Sequence, residues 1–160
     1  MTRTDLGPGA DVANAIAPTA SGGFVLAGSA GNGGHRDWGV VRYLADGSPD
    51  PTFGDGGVVI LPWSAAPESA DDVVVDGAKA VLAGRIHHTG TGDDAGVVRL
   101  RAGGKLDPTF ATGGVARIDV AGSINAAHGL AIQANGKIVF AGETWWAGVP
   151  RFLVARLRAA

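Results

Sequence analysis

Asn14, Asp71 and His128 are the residues whose types and spacing come nearest to a ligand set, because each follows the one before by 57 residues. Their side chains carry the oxygen and nitrogen atoms that bind divalent cations. If positions one period apart meet around a common axis, all three face one central opening. The spacing therefore makes them candidate metal ligands. The alternative is that they are polar residues that face water without a chemical role.

A second repeated set combines arginine with aspartate and phenylalanine at the same step of 57 residues. An arginine within an apolar strand needs an acidic partner, because a buried charge left alone costs roughly 3 to 5 kcal/mol. We therefore predict structural ion pairs rather than an anion-binding ring, with the phenylalanines as plugs between repeats. The predicted structural residues are Arg42, Arg99, Arg156, Asp50, Asp107, Phe53 and Phe110.

Aromatic and histidine residues collect in segments that differ between the repeats, namely residues 29–37, 85–94 and 143–151. Variable segments on a repeated frame are the usual place for recognition. Exposed aromatic rings stack on sugars or on protein surfaces, so we predict a carbohydrate or protein ligand here; the alternative is a tryptophan that covers a sheet edge. The predicted binding residues are Trp145, Trp146, His87, His88 and His35.

The elements that position these residues follow from the repeat itself. VVRYLADGSPDPTFGDGG at residues 40–57 returns as VVRLRAGGKLDPTFATGG at residues 97–114. Each unit contains short apolar runs such as FVLAG, AVLAG and IVFAG, joined by glycine-bearing turns typical of hairpins. The runs are apolar on both faces, which indicates small sheets stacked face to face.

This pattern predicts an all-β fold of β-propeller blades, each a four-stranded antiparallel meander, with three blades in the chain. In a closed ring the positions of Asn14, Asp71 and His128 would face the central channel. The predicted boundaries are a closing outer strand at 1–6, blade 1 at 12–63, blade 2 at 69–120 and blade 3, without a fourth strand of its own, at 126–160.

The strand ending in glycine, the VVRY-L strand, the DG turn and the DPTFG-GG motif together resemble the delta-60 repeat family. The resemblance covers nearly the whole chain; Ala111 replaces the glycine of the motif in the second copy, and the third copy lacks the motif. Members occur in bacterial, often exported or surface, proteins, and their units are taken to be propeller blades. The resemblance implies a fold and no defined activity.

Ring closure is predicted from the ends of the repeat pattern. Three units of 57 residues exceed the 160 residues of the chain by 11, and residues 1–6 align with residues 115–120. Because propellers have about four to eight blades, we predict a homodimer with six blades, in which residues 1–6 complete the partner's last blade. The alternative is that the chain is half of a longer natural or redesigned propeller.

Composition excludes several classes. A net charge of −2 without a basic stripe argues against a nucleic-acid partner, and no apolar run is long enough for a membrane span. The first ten residues contain no apolar segment typical of a signal peptide, no cysteine is present, and the compartment is not predicted.

The sequence therefore predicts a non-catalytic propeller scaffold or binding module without a cofactor. The alternative is a metal-dependent hydrolase similar to six-bladed lactonase-like enzymes, with a divalent cation at the channel mouth.

Overall fold

The computed structural model describes residues 2–90, 92–120 and 124–158. These residues form eleven strands and no helix. The strands are β1 (Val12–Pro18), β2 (Phe24–Gly31), β3 (Arg36–Tyr43), β4 (Val58–Leu61), β5 (Ser69–Asp76), β6 (Lys79–His88), β7 (Gly92–Leu100), β8 (Val115–Ile118), β9 (Asn125–Ile132), β10 (Ile138–Trp146) and β11 (Val149–Leu157). None of the described residues forms a helix with the length and apolarity of a membrane span.

The strands make three antiparallel meanders, which confirms the predicted all-β blades. Blade 1 has the order β1-β2-β3-β4, blade 2 the order β5-β6-β7-β8 and blade 3 the order β9-β10-β11. The first strands of the blades, β1, β5 and β9, lie side by side. Short hairpins join the first three strands of each blade, whereas the long connections 44–57 and 101–114 lead to β4 and β8. At Ala147 and Gly148 both φ angles are positive, 50° and 76°, as a type I′ turn requires.

Two apolar cores hold the blades together. The first lies between blades 1 and 2 and contains Trp38 and Leu82, and the second lies between blades 2 and 3 and contains Val97 and Phe140. Each blade thus has a forward face, turned toward the next blade in the chain, and a rear face, turned toward the preceding one. The forward face of blade 1 and both faces of blade 2 are buried in these cores.

The forward face of blade 3 is covered by none of the described residues. Phe152 is 98% exposed and Val154 67% exposed, although both lie within a β-strand. Their neighbour Leu153 points the other way and is buried in the second core. Strand β11 pairs only with β10 among the described strands.

Residues 2–6 form no strand and lie against the rear face of blade 1. Thr4 Oγ1 forms a hydrogen bond with the hydroxyl of Tyr43, and the Leu6 side chain approaches Gly39. The sequence predicted a strand in the partner's last blade for residues 1–6. In the structure, residues 2–6 lie against apolar surface of their own blade instead. Met1 and residues 159–160, at the outer limits of the predicted closing strand and of blade 3, lie outside the described residues, and the strand exchange stays a prediction.

Candidate functional site

A row of polar side chains crosses the first strands of the three blades. Asn14 Nδ2 donates to Ser69 Oγ at 2.8 Å and to Ala70 O at 3.0 Å. Ser69 Oγ in turn donates to Asp71 Oδ1 at 2.7 Å, and Asp71 Oδ2 lies 3.0 Å from His128 Nδ1. The three positions that the sequence singled out by spacing therefore share one hydrogen-bonded row, with Ser69 as a link that the spacing did not indicate.

A β-bulge presents each of these three residues. The pairing of each first strand with its neighbour skips Asn14, Asp71 and His128, respectively. A bulged residue is left out of the ladder, and its side chain is re-aimed by the local bend. The sequence analysis missed the bulges. The signal that could have revealed them is the repeated glycine within the second strand of each blade.

That glycine is required because the bulge brings the first strand's backbone close. An added Cβ at Gly28, Gly84 or Gly142 would stand 1.9 to 2.1 Å from a carbonyl oxygen of the adjacent first strand. Any larger residue would push the two strands apart. The glycine and the bulged polar residue opposite it therefore form one structural motif, which is repeated in every blade.

The row borders a cleft of about 470 Å³. His128 Nε2 lies 3.9 Å from Glu143 Oε1, so the imidazole stands between two carboxylates. Arg85 adds a positive charge to the wall. The cleft is lined by Asn14, Ser69, Asp71, Arg85, Ile124, Ala126, His128 and Glu143.

The side chains of the row bond to one another. The Ser69 hydroxyl donates to a carboxylate, and the Nδ1 atom of His128 is engaged by that same carboxylate. Within the described residues, no group of three or more His, Asp or Glu is arranged to hold a metal ion. A divalent cation bound by Asn14, Asp71 and His128 stays a prediction.

The predicted binding residues lie at the hairpin ends of the blades and are engaged separately. His35 Nε2 lies 2.9 Å from Asn32 Nδ2, and His87 Nδ1 lies 2.8 Å from Asp93 Oδ1. His88 also has partners within the fold. These ends are tighter than the sequence indicated, because strand pairing continues through residues expected to form loops. Residues 85–88 and 143–146 lie in β6 and β10, and 149–151 lie in β11.

The two tryptophans differ in exposure. Trp145 is 36% exposed, and its ring Nε1 donates to Glu143 Oε1 at 3.2 Å. Trp146 is 60% exposed and lies next to the tight turn between β10 and β11. Trp146 is therefore the more accessible of the two rings for stacking.

The predicted structural residues form the same assembly in blades 1 and 2. Arg42 Nε donates to Asp50 Oδ2 at 2.8 Å, and its guanidinium lies over the Phe53 ring at 4.7 Å. Arg99 is bonded to Asp107 at 2.9 Å and lies over Phe110 at 4.9 Å. Phe53 and Phe110 are each only 1% exposed and belong to the two cores. Arg156, at the third equivalent position, is exposed on the forward face of blade 3.

Hydrogen bonds set the acidity of the two aspartates. Bonds from the hydroxyl and backbone amide of Thr52 lower the pKa of Asp50. The ammonium of Lys79, 3.0 Å from Asp107, is the main cause that holds the pKa of Asp107 far below its ordinary range. Both carboxylates are therefore ionised at any pH near neutrality.

Glu68 is a buried acid that the sequence analysis did not identify. It is 1% exposed, and burial raises the pKa of its carboxyl. The carboxyl accepts bonds from Ser64 Oγ, the Trp63 backbone N and the His87 backbone N at 2.9 to 3.2 Å. It ties the connection between blades 1 and 2 to the second strand of blade 2, and its role is structural.

Three meanders of one repeat, packed face to face with their first strands together, define the class of β-propeller repeat proteins. The chain matches the family model described as "Domain of unknown function (DUF5122) beta-propeller" over residues 23–53, 79–110 and 133–159, one match in each blade. Because the matches cover more than half of the 160 residues, the chain belongs to this family. This confirms the resemblance to a propeller repeat family. Comparison with curated proteins gives no match.

Proposed function

We propose that this protein is a non-catalytic β-propeller scaffold or binding module, and that two copies close into a six-bladed ring. The forward face of blade 3 carries the proposal. Phe152 and Val154 follow Trp38 and Val40 by twice the period of 57 residues. Trp38 and Val40 are fully buried against blade 2, whereas Phe152 and Val154 are exposed. The forward face of blade 3 therefore has large apolar residues at the positions that blade 1 buries against the rear face of blade 2. Such an exposed apolar surface favours a similar partner, the rear face of another blade.

The matching of side-chain size supports this pairing. The Trp38 ring fills a slot at Gly84 and Gly96, where an added Cβ would stand 2.9 Å and 3.4 Å from atoms of the ring. Between blades 2 and 3 the forward residue is the small Ala95, and Leu153 replaces the second slot glycine. The large Trp38 on a forward face therefore packs against two glycines, whereas the small Ala95 faces a position filled by Leu153.

The forward face of blade 3 and the rear face of blade 1 combine a large residue with two glycines, as blades 1 and 2 do. Phe152 is large, and the rear face of blade 1 has Gly28 and Gly39 at the two slot positions. A second copy therefore offers the slot that Phe152 lacks. Two chains give six blades, within the usual range of propellers, and a two-fold pair is the commonest oligomer symmetry.

Solution mass tests the ring. We expect the wild-type protein to form a dimer of twice 16.0 kDa in native mass spectrometry and in light scattering. Phe152→Ser should be monomeric, whereas Leu44→Ser, which also removes an exposed apolar side chain (Leu44 is 40% exposed), should stay dimeric. A wild-type chain that remains monomeric at every concentration would refute the ring.

The ligand surface of the module is proposed at the hairpin ends, with Trp146 as its stacking residue and a carbohydrate or a protein as its ligand. The exposure of the Trp146 ring supports this assignment. A panel of soluble oligosaccharides, followed by tryptophan fluorescence, should produce a change that Trp146→Ser abolishes. If no oligosaccharide changes the fluorescence, the carbohydrate ligand is excluded for this panel and a protein ligand is proposed. Binding of a protein ligand should likewise be lost in Trp146→Ser. The metal-dependent hydrolase gains no supporting observation from the described residues.

A further inference from the structure

Leu6 occupies the glycine slot on the rear face of blade 1. An added Cβ at Gly39 would stand 2.8 Å from Leu6 Cδ1. Thr4 adds a hydrogen bond to the hydroxyl of Tyr43, at the end of the same strand. The Gly39 side of the slot into which Phe152 of a second copy is proposed to dock is therefore already occupied by the chain's own segment.

We propose that residues 2–6 are an autoinhibitory cover, which must leave the rear face of blade 1 before Phe152 of a second copy can enter the slot. This inference rests on the proposed ring and adds its regulation. The slot is narrow, because a Cβ added to Gly39 would also stand only 3.2 Å from the Cβ of Ala30. An aromatic ring cannot lie against Gly39 while Leu6 is there, because the Leu6 Cδ1 atom already occupies that contact. Assembly is then an exchange of one side chain for another.

The cover is held weakly enough to exchange. Residues 2–6 make no strand pairing, and Thr2, Arg3 and Asp5 are exposed. A cavity of about 330 Å³ is left between the segment and the blade. Segments with few buried apolar contacts and no backbone ladder open with small free energies.

The displaced segment has a defined place to go. Residues 2–6 correspond, at twice the period, to residues 116–120, and the first three of these belong to the outer strand β8 of blade 2. In the ring, the equivalent place lies beside β11 of the same second copy that supplies Phe152. The same second copy therefore provides both the Phe152 side chain that enters the slot and the β11 edge that pairs with the released segment.

A reversible crosslink tests the cover. Thr2 Oγ1 lies 3.9 Å from the position of an added Cβ on Gly47, and the chain contains no cysteine. The double variant Thr2→Cys with Gly47→Cys therefore pins the segment to blade 1 at a point outside the slot. Gly47 has a φ of 81°, so cysteine there is strained, and the reduced form of the same variant carries the same strain and serves as the control.

We expect the reduced form to dimerise and the oxidised form to be monomeric. In light scattering, the dimer dissociation constant of the oxidised form should be at least tenfold larger than that of the reduced form. Addition of reductant to the oxidised form should restore the dimer. If the oxidised form dimerises as well as the reduced form, the cover does not regulate assembly, and the ring itself stands. If the reduced form and the wild-type chain are both monomeric, the ring fails and the inference fails with it.

Discussion

Arg99 and Arg156 occupy the same position of the repeat and differ in what surrounds them. Arg99 is 5% exposed and is bonded to Asp107 and Thr109. Arg156 lies on an open face. The repeat pattern predicted the pairing of the arginines with the acids of the DPTF motif, because both recur at one step. It could not reveal that Lys79, from a different hairpin, joins the same carboxylate.

Replacement of these arginines by methionine should separate the two environments. We expect Arg99→Met to lower Tm by about 10 °C, because it removes a buried partner of a carboxylate. Arg156→Met should shift Tm by no more than about 2 °C, as is typical of exposed positions. Differential scanning fluorimetry at a concentration that keeps the chain monomeric measures both. Equal losses in the two variants would contradict the structural role assigned to Arg99.

The acidity of Asp107 predicts how stability depends on pH. Its folded-state pKa is lowered from the ordinary value of 3.8, mainly by Lys79. The carboxylate therefore stabilises the fold fully above pH 3.8, and this contribution is lost as the pH falls below that value toward the folded pKa. We expect the Tm of the wild-type protein to fall more steeply below this pH than the Tm of Asp107→Asn. Parallel curves would show that the carboxylate adds nothing to acid stability.

Each blade is built around a hairpin whose first strand carries a bulge. The meander itself could be predicted, because apolar runs and glycine turns alternate along the chain. The bulge was missed, because it depends on the register between β5 and β6 and leaves no mark on hydrophobic periodicity; its trace in the sequence is the repeated glycine opposite it. The convergence of Asn14, Asp71 and His128 followed from spacing alone, whereas the linking role of Ser69 needed the coordinates.

A substitution at the glycine opposite a bulge should disturb both the strand and the site. In Gly84→Ala the new Cβ would stand 2.1 Å from Ser69 O, so β5 must shift away from β6. We expect a loss of roughly 3 kcal/mol in the free energy of unfolding and a change in the NMR shifts of the His128 ring. Gly34→Ala is the matched control, because no atom lies within 4 Å of its added Cβ and its φ is not positive. An unchanged His128 spectrum in Gly84→Ala would argue against the bulge as the positioning device.

On the scale of the whole molecule, two blade faces are not packed against another blade of the described residues. The rear face of blade 1 is in contact with residues 2–6, and the forward face of blade 3 is covered by none of the described residues. The sequence predicted that two copies would be needed for closure. It could not predict where residues 2–6 lie in the single chain, because that position depends on the three-dimensional shape of a slot and not on a repeat.

Joining two copies in one polypeptide tests the ring as a whole. We expect a tandem fusion to be a monomer of about 32 kDa, twice the mass of one chain, with a Tm independent of concentration. The single chain should show a Tm that rises with concentration, as mass action requires for a dimer. A fusion that associates further through Phe152, judged by its sensitivity to Phe152→Ser in the second half, would contradict closure by two copies.

The open forward face of blade 3 also has a consequence for handling the protein. A molecule with Phe152 exposed on one side and a complementary slot on the other can associate head to tail without limit. The angle between successive copies decides whether the assembly closes at two copies or grows into a fibre. The cover proposed for residues 2–6 would slow the first association step and keep dilute protein from polymerising. Shortening the chain before residue 7 removes both the proposed cover and the strand proposed to seal the ring beside β11, and should therefore yield material that precipitates on concentration, whereas the unshortened chain stays soluble.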